Sequence, residues 1–119
     1  MQRVHFRLTI LFVSSLFAFP GAFAHTHLEK SSPANGSTLS KAPTELVLTF
    51  EEDVQVTAVS IETGDHVKQD MKLIPVTAKS ISLPLHALNP GAYTVNWRAL
   101  GDDGHVMTGH FSFTIAASK

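Results

Sequence analysis

Histidine and carboxylate side chains carry the chemistry that this sequence offers. The chain has seven histidines, ten acidic residues and no cysteine. Zinc fingers and thiol chemistry are therefore excluded, and the available metal ligands are imidazole, carboxylate and amine groups. This set of donors suits copper(II) best, with zinc second.

His25 directly follows a segment with the pattern of a secretory signal peptide. A basic start precedes an apolar run over residues 8–19, and Ala22 and Ala24 are the small residues that a signal peptidase requires. The run is shorter than the roughly 18 residues of a membrane span. We therefore predict that residues 1–24 are cleaved, that the protein is exported to the periplasm, and that no membrane span remains after processing.

Cleavage after Ala24 would give His25 a free α-amine beside its own imidazole. An α-amine with a pKa of about 7.7–8.0 can lose its proton and bind a metal, which would make His25 a bidentate ligand. The alternative is that His25 is the solvated first residue of a fraying terminus. From the terminal residues alone, we favour the second interpretation, in which His25 is a solvated residue and not a ligand.

The mature chain would comprise residues 25–119, which is enough for one small domain with a single core. The full chain has 9 lysine and arginine residues and 10 aspartate and glutamate residues. Removal of Arg3 and Arg7 with the signal peptide leaves 7 against 10, so the mature chain has a formal charge of −3 when its histidines are neutral. This charge argues against nucleic acid as a partner.

Apolar residues alternate with period two in short runs separated by turn residues, which predicts antiparallel strands. About seven strands at this spacing are typical of an all-β Greek-key sandwich. We place them near residue 28 and over residues 46–50, 54–61, 71–76, 80–85, 93–97 and 111–115. The alternation predicts nine buried side chains: Leu46, Leu48, Phe50, Tyr93, Val95, Trp97, Phe111, Phe113 and Ile115.

Asp103-Gly104-His105 places a carboxylate and an imidazole two residues apart. In extended backbone these side chains leave the same face and can converge on one ion. Asp-Gly is also an ordinary turn pair, and without a third ligand the turn is the better interpretation.

Several segments in the same order resemble the CopC family of periplasmic copper-binding proteins. They are His25-Thr26-His27-Leu28, Ser32-Pro33-Ala34, the run from Tyr93 to Arg98, Asp103-Gly104-His105, and Gly109-His110-Phe111-Ser112-Phe113. The resemblance implies an Ig-like or cupredoxin-like sandwich that binds copper(II) through the amine and imidazole of His25, the carboxylate of Asp103 and the imidazole of His105. It implies copper carriage, homeostasis or resistance without catalysis, and a CopD-type inner-membrane copper transporter as a partner.

The remaining candidates have simpler interpretations. His27 shares an extended face with His25 and is either an auxiliary ligand or a surface residue, and Asp102 is a less favourable ligand than Asp103. We expect His110 to face solvent or to contact a metal ligand without binding the metal itself. His66 and His86 lie in or beside turns.

Met71 and Met107 are well separated in sequence, which argues against a soft copper(I) site and for packing or surface roles. The acidic run 51–53 predicts a solvated edge that resists strand pairing, and secondarily a docking patch.

Two other classes of function stay open from the residues alone. A terminal-histidine copper site can activate oxygen in a small oxidase or monooxygenase, although a further carboxylate ligand would occupy a position that oxygen needs. A structural sandwich without metal would leave the histidines incidental.

Overall fold

Seven strands and no helix form residues 27–117, the part of the chain that our computed structural model describes. They are β1 (Leu28–Ser32), β2 (Ser37–Leu39), β3 (Glu45–Thr63), β4 (Lys68–Asp70), β5 (Thr77–Pro84), β6 (Gly91–Gly101) and β7 (Val106–Ile115). The predicted all-β class is confirmed, because these strands form one curled sheet that closes around a shared core.

The long strand β3 joins the two halves of this curled sheet. Its first half pairs with β1 and β5, and its second half pairs with β6 and β4, all antiparallel. Between the halves, residues 51–53 are exposed, and the register between β3 and β5 shifts there. Three consecutive exposed acidic residues break the alternation of buried positions where the strand passes from one half to the other.

β1 and β6 lie end to end along the same edge of β3. β5 pairs with β3 on both sides of the bend, from Glu45 to Gln55, and so occupies the opposite edge throughout. On the shared edge, β1 starts where Leu28 faces Phe50, and β6 ends where Gly101 faces Val54. The start of β1 and the end of β6 therefore lie on the two sides of the bend, opposite Phe50 and Val54.

The other half of the sheet is built around the hairpin of β6 and β7. These strands pair in continuous register from Gly91 with Ile115 to Leu100 with Val106. β2 pairs with the end of β7 in parallel, the one parallel pairing among the described strands.

The core follows the period-two pattern. The nine side chains predicted to be buried are at most 7% exposed, and Leu46, Leu48 and Val95 are fully buried. Trp97 contacts Phe50 edge to face with ring centroids 5.2 Å apart, which joins the hairpin to the half that carries β1.

The strand boundaries differ from the prediction in three places. The predicted runs 46–50 and 54–61 are one strand, because extended backbone continues through the acidic bend. Residues 71–76 form no strand; the pairing with β3 is made just before them by Lys68–Asp70. Sequence analysis also missed β2, whose three residues are too few to show alternation.

Candidate metal centre

The turn between β6 and β7 holds Asp103 and His105. Gly104 N donates a hydrogen bond to Gly101 O at 3.0 Å, and Gly101 N donates to His105 O at 2.9 Å. Gly104 has a φ of 82°, in the left-handed region that glycine enters without steric cost. These bonds fix the backbone that carries both side chains.

Asp103 and His105 contact each other directly. His105 N donates to Asp103 Oδ1 at 3.1 Å, and His105 Nδ1 lies 2.7 Å from Asp103 Oδ2. Both side chains are open to solvent, at 54% exposure for Asp103 and 69% for His105. Asp103 and His105 therefore lie together within a turn, rather than on one face of extended backbone as the two-residue spacing predicted.

The same contacts favour the charged carboxylate. The backbone N–H of His105, and then its ring, hold the pKa of Asp103 below its ordinary value, because both hydrogen bonds stabilise the ionised form. Asp103 is thus an anion at neutral pH, the form in which a carboxylate binds a metal. Its contact with Nδ1 leaves Nε2 as the ring nitrogen that Asp103 does not engage.

The first described residue approaches this turn along the edge of β3. Glu51 N donates to His27 O at 3.3 Å, so the pairing of β1 with β3 extends one position beyond the strand. Three residues further along β3, Val54 pairs with Gly101, where the turn begins. His25 itself lies outside the described residues, two positions before His27.

The other histidines lie apart from the turn. His66 sits at the far end of β3, with Nδ1 3.1 Å from Glu62 Oε1. His86 and Met71 line a separate cavity of about 370 Å³. His27 and His110 are exposed and share a groove of about 530 Å³ beside the buried Trp97. None of these positions joins Asp103 and His105.

The described residues supply two metal donors at one place. Within residues 27–117, no three histidine, aspartate and glutamate side chains lie close enough together to hold a metal ion. A complete site at the turn therefore requires donors from elsewhere.

The glycine that borders this pair, Gly101, was not singled out from the sequence. A Cβ added to Gly101 would lie 2.9 Å from Asp103 Oδ1 and 3.7 Å from Met107 Cε. The absence of a side chain at Gly101 makes room for the Asp103 carboxylate. The available signal was the glycine that precedes Asp102-Asp103, although a turn glycine is common enough to carry little information.

This geometry defines a class of protein: small all-β domains that present an imidazole and a carboxylate together in a turn at one end of the sheet. The family model described as the CopC domain matches residues 28–116, so the chain belongs to the CopC family and the predicted resemblance is confirmed. No helix within residues 27–117 has the length and apolar character to cross a membrane.

Similar proteins cover most of the chain. Protein YobA of Escherichia coli K12 is 28% identical over 115 residues, which cover 92% of this chain and 93% of YobA. Copper resistance protein C of Escherichia coli is 32% identical over 106 residues, covering 79% and 83%. The crystal structure of CopC from Methylosinus trichosporium OB3b superposes with a TM-score of 0.67 at 24% identity, over 80% of this chain and 97% of that one, and shows the same fold.

Proposed function

We propose that this protein binds copper(II) in the periplasm and carries or buffers it for copper homeostasis or resistance. Membership of the CopC family and the similarity to copper resistance protein C support a copper-related function. The proposed ligands are the amine and imidazole of His25, the carboxylate of Asp103 and the imidazole of His105. They form a three-nitrogen, one-oxygen set of the kind that tetragonal copper(II) accepts.

The observation that carries this proposal is the contact between Asp103 and His105 in the turn after β6. Two residues of chain reach at most about 7 Å, so His25 lies within that distance of His27 along the backbone. His27 is held against Glu51, three residues along β3 before Val54, which pairs with Gly101 at the end of β6. A bidentate first residue at this place would complete the two donors that the turn provides.

The Asp103–His105 contact gives a specific role to each side chain before copper arrives. Asp103 holds the imidazole in a fixed orientation, as carboxylates do for metal-binding histidines. The two nitrogens of the ring point away from each other, so an ion bound at Nε2 is out of reach of a carboxylate that stays on Nδ1. Asp103 and His105 therefore bind one copper ion only after the contact between Asp103 and Nδ1 opens.

Processing is part of the proposal. A signal peptide over residues 1–24 would direct export and, once removed, would release the His25 amine in a mature domain of residues 25–119. We propose that the protein performs no reaction, because its charged oxygen ligand fills a position that oxygen activation would need. A CopD-type inner-membrane transporter is the proposed recipient or source of the copper.

Mass spectrometry of the exported protein combined with electron paramagnetic resonance tests the proposal. The mature mass should begin at His25, and one equivalent of copper(II) should give a tetragonal signal with nitrogen hyperfine structure. A mature protein that begins elsewhere, or a signal unchanged in His105→Ala, contradicts it. Cross-linking to membranes that contain or lack the transporter tests the partner separately.

A further inference from the structure

A groove beside Trp97 lies where the first strand leaves the edge of the β6–β7 hairpin. β2 pairs with β7 in parallel from Ser37 with Phe113, whereas β1, which precedes β2 in the chain, pairs with β3 alone among the described strands. No strand pairing therefore joins β1 to β7 across the gap between them. The groove has a volume of about 530 Å³, and it is lined by β1, Trp97 and residues 109–111 of β7.

The edge of β7 beside this groove has an unpaired peptide position. At Ser112 the loop before β2 satisfies the edge, since Ser112 N donates to Asn35 Oδ1 at 3.0 Å and Gly36 N donates to Ser112 O at 2.7 Å. Backbone groups of a strand point to the same side at every second residue, so the N–H and C=O of His110 point the same way. Within residues 27–117, no backbone group pairs with them on that side. His110 therefore presents one donor and one acceptor of an open strand edge.

The indole of Trp97 adds a second donor at the same groove. Trp97 is 7% exposed, and its Nε1 has no hydrogen-bond partner among the described residues. The Nε1 edge of the ring lies against Gly109, because a Cβ added there would be 2.9 Å from Nε1 and 2.5 Å from Cζ2. A buried N–H without an acceptor is costly. The groove that Trp97 and Gly109 both line is the space from which an acceptor can reach it.

We propose that this groove binds an extended peptide segment of a partner protein, which adds a short strand to β7 at His110 and accepts the hydrogen bond of Trp97 Nε1. A peptide carries both N–H and C=O groups, so it can satisfy both groups of His110, whereas a small anion offers acceptors alone. The lining of the groove runs along β1 from His27 to Ser31, a span of about 13 Å, which accommodates about four extended residues. His27 lies two positions after His25, so the bound segment lies beside the proposed copper ligand.

Titration of the copper-free protein with acetyl-tetraalanine amide tests this assignment, because this blocked peptide offers backbone groups and only methyl side chains. Trp97 is the single tryptophan of the chain, so one indole N–H resonance in the NMR spectrum reports on the groove. We expect saturable shifts of this resonance and of the His110 N–H. A blocked Ala-Pro-Ala-Pro peptide lacks the N–H groups of its prolines and should bind about three- to tenfold more weakly, the scale of one lost hydrogen bond.

Substitution of His110 separates its backbone from its side chain. His110→Pro removes the N–H of this edge position, and His110→Ala is the matched control that keeps it. We expect the affinity for tetraalanine to fall about three- to tenfold in the proline variant and to stay at the wild-type value in the alanine variant. Unchanged core resonances show that the proline variant is folded, and the comparison of the two peptides on wild type needs no variant.

Three results overturn the inference: equal affinity for the two peptides, an indole resonance that does not move, or full affinity in a folded His110→Pro variant. Self-association in sedimentation that His110→Pro abolishes also overturns it, because the edge then belongs to a second copy of the chain. The titration contains no copper, so its outcome is independent of the test of the proposed function.

Discussion

Each end of this molecule presents a histidine in contact with a carboxylate, and the two pairs differ in their surroundings. His105 Nδ1 lies 2.7 Å from Asp103 in the turn after β6, and His66 Nδ1 lies 3.1 Å from Glu62 in the turn after β3. Only the first pair adds a backbone hydrogen bond from the histidine to its carboxylate. The His66 side chain is 88% exposed and lies at the other end of the β3–β6 pairing, just beyond Thr63.

Contact between an imidazole and a carboxylate does not by itself define a metal site. Two donors hold a metal weakly, so a metal site at either pair needs further donors. In the proposed site they come from His25, and the start of β1 and the end of β6 lie along one edge of β3, opposite Phe50 and Val54. The pair of His66 and Glu62 lies at the other end of the β3–β6 pairing, away from the start of β1. Topology therefore selects one pair for the proposed site.

Extension of the mature chain by one residue before His25 should have the largest effect. It converts the α-amine into an amide, which is far less basic and no longer completes a bidentate ligand. We expect copper(II) affinity to fall by about two orders of magnitude or more, the scale of a lost ligand of roughly 3 kcal/mol. Competition titration of the extended and processed forms measures it, and equal affinities would show that the amine is not a ligand.

Alanine substitutions in the Asp103–His105 and Glu62–His66 pairs should distinguish the residues that bind copper from those that do not. His105→Ala and Asp103→Ala should each weaken copper(II) binding by about 10- to 100-fold and change the paramagnetic resonance spectrum. His66→Ala and Glu62→Ala are the matched controls, and His86→Ala is a third. A His66 variant that loses the native spectrum would reverse the assignment of the two ends.

The same substitutions should separate stability with copper from stability without it. Because His105 is exposed, His105→Ala should leave thermal unfolding of the copper-free protein nearly unchanged. With copper(II) at 100 times the dissociation constant, wild type should gain about 2.7 kcal/mol and the variant much less. Calorimetry with and without copper measures both, and an equal gain in the two proteins would remove His105 from the site.

The sequence indicated the core more completely than the site. Leu46, Val95 and Phe113 were predictable because burial imposes a period of two on any half-buried strand. The Asp103–His105 contact was predictable in part, since it depends on local spacing. The approach of β1 to the end of β6 was not, because it depends on the path of β3 through both halves of the sheet. The packing role predicted for Met107 is observed, since its half-buried side chain lies against the core.

Gly101→Ala should weaken the site without unfolding the protein. The φ of Gly101 is not in the left-handed region, so alanine fits the backbone, but its Cβ would lie 2.9 Å from Asp103 Oδ1. The exposed carboxylate can move away, so we expect stability within about 0.5 kcal/mol of wild type. Copper(II) affinity should fall by several-fold.

Gly64→Ala is the matched control at the His66 end. There the nearest atom to an added Cβ is Ala92 O at 3.9 Å, an ordinary contact. Copper affinity should be unchanged. If the two alanine variants bind copper(II) equally well, the position of the Asp103 carboxylate does not matter for binding.

The smallest effect should appear in the acid unfolding of the copper-free protein. The folded pKa of Asp103 is lowered, so its ionised form stabilises the fold above the unfolded pKa, and this contribution is lost as pH falls through the folded value. Asp103→Asn should therefore lose a little stability at pH 7 and show a shallower decline below about pH 4, the ordinary range of aspartate. Because the first cause is the backbone N–H of residue 105, His105→Ala should keep most of this dependence. Urea unfolding from pH 7 to 3 measures it for the three proteins, and parallel curves for wild type and Asp103→Asn would show that the hydrogen bonds in the turn do not stabilise the fold.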